Sequence, residues 1–372
     1  MRKFIVFLAA VFVLSAGCGI ASEREDRYNS PKSDVITIGV VYPITSINVA
    51  NTHFAKGLQF AVDVINNSGG VLDKRLDIAV RDDKNNANTA MQIAQTFIDR
   101  GITAVIGHWS TNISYYTQDI YEKNRIIMLT PRSTGLVLFE EEFDYIFRMV
   151  GSSQIFARAI ASHVAEKRYR NIVIYFTDDV FGIDLAKNFE KELNALEVRV
   201  VDRVNSITSL NIELLSNRWR AFGCDAIIMA ATYPAYVEPI RVIRRNGLQL
   251  PVYGDDSFER FTVEDLQYEY FDNLYTATLR RENLDTDFLE GFRVMYGHDP
   301  DAPAVNAYEA VMLIRDAMEA TGSIDGTTMA SFMSNLKDYK TVSGVRTYNP
   351  ETQEFDGYNV FVIPVRPIIF GG

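Results

Sequence analysis

The chain has 372 residues, 37 Lys and Arg against 48 Asp and Glu for a formal net charge of −11, and 47% hydrophobic residues. That charge argues against a nucleic-acid binder, which needs a basic face, while the length and apolar content supply two real cores, hence two domains. With two cysteines and four scattered histidines, a zinc centre is unsupported.

The first 34 residues stand apart. Arg2 and Lys3 make a short basic start, Phe4 to Leu14 is an apolar run too short to span a bilayer comfortably, and Ser15, Ala16 and Gly17 are small residues before Cys18. These are the marks of a secretory signal over residues 1–17. Cys18 sits where a bacterial lipobox places the cysteine that receives lipid, with Leu14 one position earlier than in the commonest form. A plain secretory signal with an incidental cysteine is the simpler alternative, but the placement of Cys18 favours a lipid-anchored chain. Residues 18–34 are polar and aperiodic and read as a tether. Cys224 is then left without a disulfide partner. Beside the apolar run 226–229 it reads as a small, inert, largely buried residue.

From residue 35, short β-rich runs alternate with stretches of helical spacing. Val35–Val41 is the first strand, followed by a helix carrying Leu58, Ala61, Val62 and Ile65 on one face and stopped by Gly69-Gly70. Strands 76–80, 104–107 and 126–129 follow, with helices between them. A second series begins after Arg148, with strands at 171–176, 198–201, 225–230 and 251–254. Alternation of this kind predicts mainly parallel sheets covered on both faces, an α/β fold repeated in two domains. Residues 284–297, 303–321 and 327–337 read as three further helices, and 348–355 with 358–365 as a closing hairpin or paired strands.

Ligands of open α/β sheets bind beyond the carboxyl ends of the strands. In the first series those ends carry His108, Trp109, Ser110 and Thr111, then the stretch TPRSTG at 130–135. A helix opened by Ser110 or Thr111 offers free N–H groups and the positive end of its dipole, and the loop at 130–135 adds hydroxyls. A carboxylate is the natural guest. Any one of these hydroxyls is explained as well by capping its own helix or turn; as a set at consecutive strand ends they favour binding. The second series places Asp178, Asp179 and Phe181, then Thr232 and Tyr233, then Asp255 and Asp256 at its strand ends. A carboxylate there suits an ammonium, and an aromatic can cover it. The two sides together have the form of an amino-acid site. No catalytic constellation accompanies them: His108 has no evident orienting carboxylate, and strong nucleophile-elbow and phosphate-loop patterns are missing. The chain is therefore read as a non-enzyme needing neither cofactor nor metal.

The spans ITIGVVYPIT, AVDVINNSGGV, ITAVIGHWSTNISYYTQDIYEKNRIIMLTPRST and NIVIYFTDDVFG carry a resemblance over residues 35–366. They resemble the periplasmic binding proteins of the branched-chain amino-acid (leucine-binding) type, the substrate-binding subunits of ABC importers. The resemblance implies two doubly wound parallel-sheet lobes joined by three hinge crossings, the type I periplasmic binding protein fold. Crossings near Val150, Thr276 and Gly344 would give a first lobe of 35–150 and 277–344 and a second of 151–276 and 345–372. Carried over by position, Thr111 would hold a ligand carboxylate, with Ser110 beside it as a further ligand-binding candidate from its place at the strand end. Thr134 would support carboxylate and ammonium, with backbone groups near Arg132 and Ser133 contributing. Phe181 and Tyr233 would be covering aromatics, and Asp256 the ammonium partner, with Asp255 as its alternative.

Arg132 and Trp109 stand where the family has smaller residues, which puts branched-chain specificity in question. A lone guanidinium is costly to desolvate in a small pocket, so Arg132 is expected to face outward. The implied function is a lipid-anchored, exported, monomeric receptor that passes a small amino acid or carboxylate to an ABC permease. The competing readings are a sensor reporting to a membrane receptor and a binder of a non-amino-acid amide or acid.

Overall fold

A computed structural model describes residues 29, 33–50, 52–262, 264–279 and 284–366 of the chain. The expected signal and Cys18 lie outside the described residues. Asn29, near the end of the expected tether, exchanges hydrogen bonds of 2.8 and 3.0 Å with the backbone of Thr37.

The first lobe is laid down as β1 (Val35–Tyr42), the short α1 (Ile47–Ala50), α2 (Phe54–Asn67), β2 (Arg75–Asp82), α3 (Ala87–Asp99), β3 (Ala104–Ile106), α4 (Thr111–Lys123), β4 (Ile127–Thr130) and β5 (Ile146–Arg148). The second follows as α5 (Ser153–Glu166), β6 (Asn171–Phe176), α6 (Val180–Ala195), β7 (Arg199–Val204), α7 (Ile212–Ala221), β8 (Ala226–Ala230), α8 (Val237–Arg245), β9 (Val252–Gly254) and β10 (Leu274–Leu279). The chain then makes α9 (Thr286–Tyr296), α10 (Ala302–Thr321), α11 (Gly326–Ser334), β11 (Tyr339–Thr341), β12 (Gly344–Asn349), β13 (Glu354–Asp356) and β14 (Val360–Pro364).

The first sheet is parallel throughout, in the order β2-β1-β3-β4-β5. All but the first residue of β1 are buried, because helices cover both faces of a parallel sheet. One face packs against α2, α9, α10 and α11, the other against α3 and α4. Helices α2 and α10 cross closely because residue 57 is glycine: a Cβ there would lie 2.7 Å from the Cα of Ala304. The second sheet, β14-β10-β9-β8-β6-β7, is parallel except at its β14 edge, where β14 runs against β10. Its faces carry two further cores, one around Trp219 and Tyr236 and one around Phe156 and Phe189. Cys224 is a free, partly buried thiol that burial pushes up to about 12. It is inert at neutral pH.

The end of the chain departs from the expected order. Stretches 348–355 and 358–365 do not pair with each other. β12 pairs with β11 and β13 in a small antiparallel sheet, whereas β14 joins β10 in the second lobe. Thr276 lies inside β10, and the hairpin after Gly344 buries Tyr348 and Phe355 in the first core. Leu279 thus still pairs within the second sheet, while the hairpin gives its aromatic side chains to the first core.

Candidate functional site

The TPRSTG loop is held from behind. Behind the cleft the His108 side chain is fully buried, with Nδ1 2.8 Å from Oδ2 of Asp83. Its backbone carbonyl accepts from the hydroxyls of Thr130 at 2.9 Å and Ser133 at 3.1 Å. Ser133 also shares a 2.8 Å hydrogen bond with Ser114 of α4. The Nδ2 of Asn306 on α10 donates to the carbonyl of Pro131 at 2.8 Å. Thr130 and Ser133 thus turn inward and fix the loop, so the Ser133 hydroxyl is spent on structure rather than facing the cleft. Arg148, fully buried, donates from Nη1 to the carbonyls of Thr134 and Gly135 and pairs through Nη2 with Glu354. Sequence reading missed that clamp, because Glu354 is 206 residues further along the chain.

Ser110 caps α4, its hydroxyl accepting from the N–H of Ile113, and donates to Asn85 at 3.1 Å. The hydroxyl of Thr111 accepts from the N–H of Gly135 at 3.0 Å. Thr111 and Thr134 therefore stand side by side at the helix N-terminus, an arrangement suited to an anion.

Facing them from the second lobe is the N-terminal end of α6. Asp179 caps it through the N–H of Gly182 at 2.8 Å. The N–H of Phe181 donates at 2.9 Å across the lobes to Oδ1 of Asn112. Tyr233 donates to Asp265 at 3.1 Å, and the guanidinium of Arg260 lies 5.1 Å from its ring centroid. Asp255 accepts from the hydroxyl of Ser257 at 2.6 Å and its N–H at 3.1 Å. Burial, then the neighbouring Asp256, pushes the Asp255 carboxyl up to about 7.

Arg132 does not face outward. Its Nη1 pairs with Asp256 across the lobes, and both side chains are nearly buried. Desolvation is the largest single influence on it, but the charge and hydrogen bond of Asp256, with the nearby Asp255 and Glu259 charges, together outweigh that cost and hold the guanidinium more firmly protonated than usual. A third bridge runs from the N–H of Leu136 to Asp184 on α6 at 2.9 Å.

One cleft, of about 630 Å³ including its open mouth, gathers Ser110, Thr111, Arg132, Thr134, Phe181, Tyr233 and Asp256. Ser133 is outside its lining. Asn85, Asn112, Ser257 and Arg260 line it as well and were not singled out from the sequence. Asn112 had a signal, since it neighbours Thr111 in the first turn of α4. Arg260 had none, being carried in by a short 3₁₀ segment, Asp256–Arg260, whose presence the sequence does not mark. Among the described residues no cluster of His, Cys, Asp and Glu suits a metal ion, and no helix is long and apolar enough to cross a membrane.

Two α/β lobes that turn the ends of their strands toward a shared cleft, with the chain passing between them three times, define the class of hinged binding proteins. The chain belongs to the family described as periplasmic binding protein, whose model matches residues 35–362. An ABC transporter substrate-binding protein from Desulfitobacterium hafniense is 31% identical, with a TM-score of 0.79 over 89% of this chain and 98% of its own. The structure of a Desulfitobacterium hafniense substrate-binding protein in complex with Leu matches at the same identity and TM-score, over 88% of this chain and 96% of that one. The Leu/Ile/Val-binding protein homolog 1 of Brucella abortus is 23% identical, covering 84% of this chain and 86% of that protein.

Proposed function

We propose that this chain is the solute-binding receptor of an ABC importer, capturing a small amino acid or related carboxylate between two closing lobes. The observation that carries it is the shared cleft. One wall is a helix N-terminus with Thr111 and Thr134, and the other presents Phe181, Tyr233 and two aspartates. Groups from both lobes then contact one ligand, and only when the lobes are together. That is the differential contact needed for ligand to shift an open–closed equilibrium. Relatives named as substrate-binding proteins, one of them in complex with Leu, support the reading. The work of such a receptor is binding and hand-over to a permease, with no bond made or broken.

The same reading covers the N-terminus: export directed by residues 1–17, lipid on Cys18 and a monomer tethered outside the cytoplasmic membrane. The test is calorimetric titration of the purified mature chain, freed of carried-over ligand by denaturation and refolding, with amino acids and small carboxylates. Saturable one-to-one binding is expected. Heat-silent mixing with every compound, confirmed by an unshifted melting temperature, would defeat the proposal.

A further inference from the structure

None of the fourteen residues lining the cleft is aliphatic. Its apolar lining consists of Trp109, Phe181 and Tyr233, and its charged lining is Arg132, Asp255, Asp256 and Arg260. A branched aliphatic side chain placed there would strip water from two guanidiniums and return no hydrogen bond.

The charges are not evenly committed. Asp256 is already paired with Arg132, so an incoming ammonium must compete with a guanidinium for it. Asp255 is held by the hydroxyl and N–H of Ser257, and its raised pKa leaves it only part charged near neutral pH. Arg132, by contrast, spends Nη1 on Asp256 and has no other hydrogen-bond partner among the described residues. Burial, then the neighbouring Arg132, lowers the pKa of Arg260 from an arginine's usual value, and its flat face lies against Tyr233. Two guanidiniums lining one cleft together with the N-terminus of α4 offer more to anions than to a zwitterion. A carboxylate takes two parallel N–H bonds from a guanidinium, a geometry that neutral groups and ammoniums cannot match.

We infer that the ligand is a small dicarboxylate, with or without an amino group, held by one carboxylate at Thr111, Thr134 and the start of α4 and by the other at Arg132 and Arg260. This rests on the receptor reading above and names its substrate class. Arg132 is then the residue that sets specificity, and its bridge to Asp256 aims it.

The experiment is calorimetric titration of the mature chain, refolded to remove carried-over ligand, with L-glutamate, glutarate, L-glutamine and L-leucine. It is repeated on Arg132→Gln, Arg132→Lys and Arg260→Gln after circular dichroism confirms the fold. At least one dicarboxylate is expected to bind about tenfold or more tighter than leucine and glutamine. Arg132→Gln is expected to cost that dicarboxylate about tenfold to a hundredfold, the scale of a lost charge-assisted pair, with Arg132→Lys between. If Arg132→Gln does not fold, Arg260→Gln carries the same expectation. Leucine binding as tightly as either dicarboxylate overturns the inference and leaves the receptor reading standing, as does an equal loss for leucine and dicarboxylate in the variants. Failure of all four ligands to bind overturns this inference, and the receptor reading falls with it only if the wider panel of amino acids and small carboxylates is silent as well.

Discussion

The hydrogen bond from the N–H of Phe181 to Oδ1 of Asn112 joins the lobes without any charge, which makes its removal simple to interpret. In Asn112→Ala the Phe181 N–H keeps its place at the start of α6 but loses its acceptor. When the lobes part, that N–H and the Asn112 amide both return to water, so the substitution acts on the closed form alone. A neutral hydrogen bond contributes about 0.5–1.5 kcal/mol net. At about 1 kcal/mol the closed form is depopulated, and apparent affinity weakened, by roughly fivefold. The loss should be the same for every ligand, because the bond spans the hinge rather than the ligand. Calorimetry with two unrelated ligands measures it, with the urea midpoint as a check that the fold is unchanged. Unaltered affinity for both would refute the assignment of this bond to closure. A loss confined to one ligand would mean that Asn112 acts on the ligand itself.

Two further outcomes follow from geometry described above. Gly57→Ala should lower stability by about 1–3 kcal/mol through overpacking, even though alanine favours a helix by about 1 kcal/mol, because its Cβ would meet the backbone of Ala304; the melting temperature reads this directly. Asp255 ionises at about 7 in the fold, where burial and Asp256 raise it, against about 4 in an unfolded chain. Between those values the folded chain keeps a proton that the unfolded chain has released, so this group adds stability at low pH. That contribution falls as pH rises from about 4 to about 7 and stays lost above. Asp255→Asn should flatten this part of the urea midpoint–pH curve, and an unchanged slope would remove Asp255 as its source.

Most strands and helices up to Gly254, though not the short α1 and β5, were legible because their signals are local. Apolar runs such as Ile127–Leu129 and Ala226–Ala230 read as buried strands, and α2 shows its inner face at helical spacing. The ends of the strands then placed most of the cleft. What the sequence could not carry were partners far apart in the chain. Arg132 reads as exposed only while its carboxylate, 124 residues away in the other lobe, is out of account. The Ser133 hydroxyl turns inward because the His108 carbonyl awaits it, a direction no pattern of residue types encodes. The packing of Tyr348 and Phe355 in the first core likewise depends on helices and strands far earlier in the chain, so the residue pattern alone does not say which core they join.

The passage of β14 back to the second lobe has a consequence for the order of assembly. Residues 153–279 hold every strand of the second sheet except that one antiparallel edge. The first sheet, although synthesised earlier, has one face covered only by α2 until α9, α10 and α11 arrive with Phe288, Phe292, Val311 and Met329. As the chain emerges from its N-terminus, the lobe that comes second in sequence is therefore the first able to close its cores. The lobe begun at β1 waits with an open apolar surface for partners some 250 residues downstream, the kind of long-range closure that slows folding and exposes a chain to aggregation.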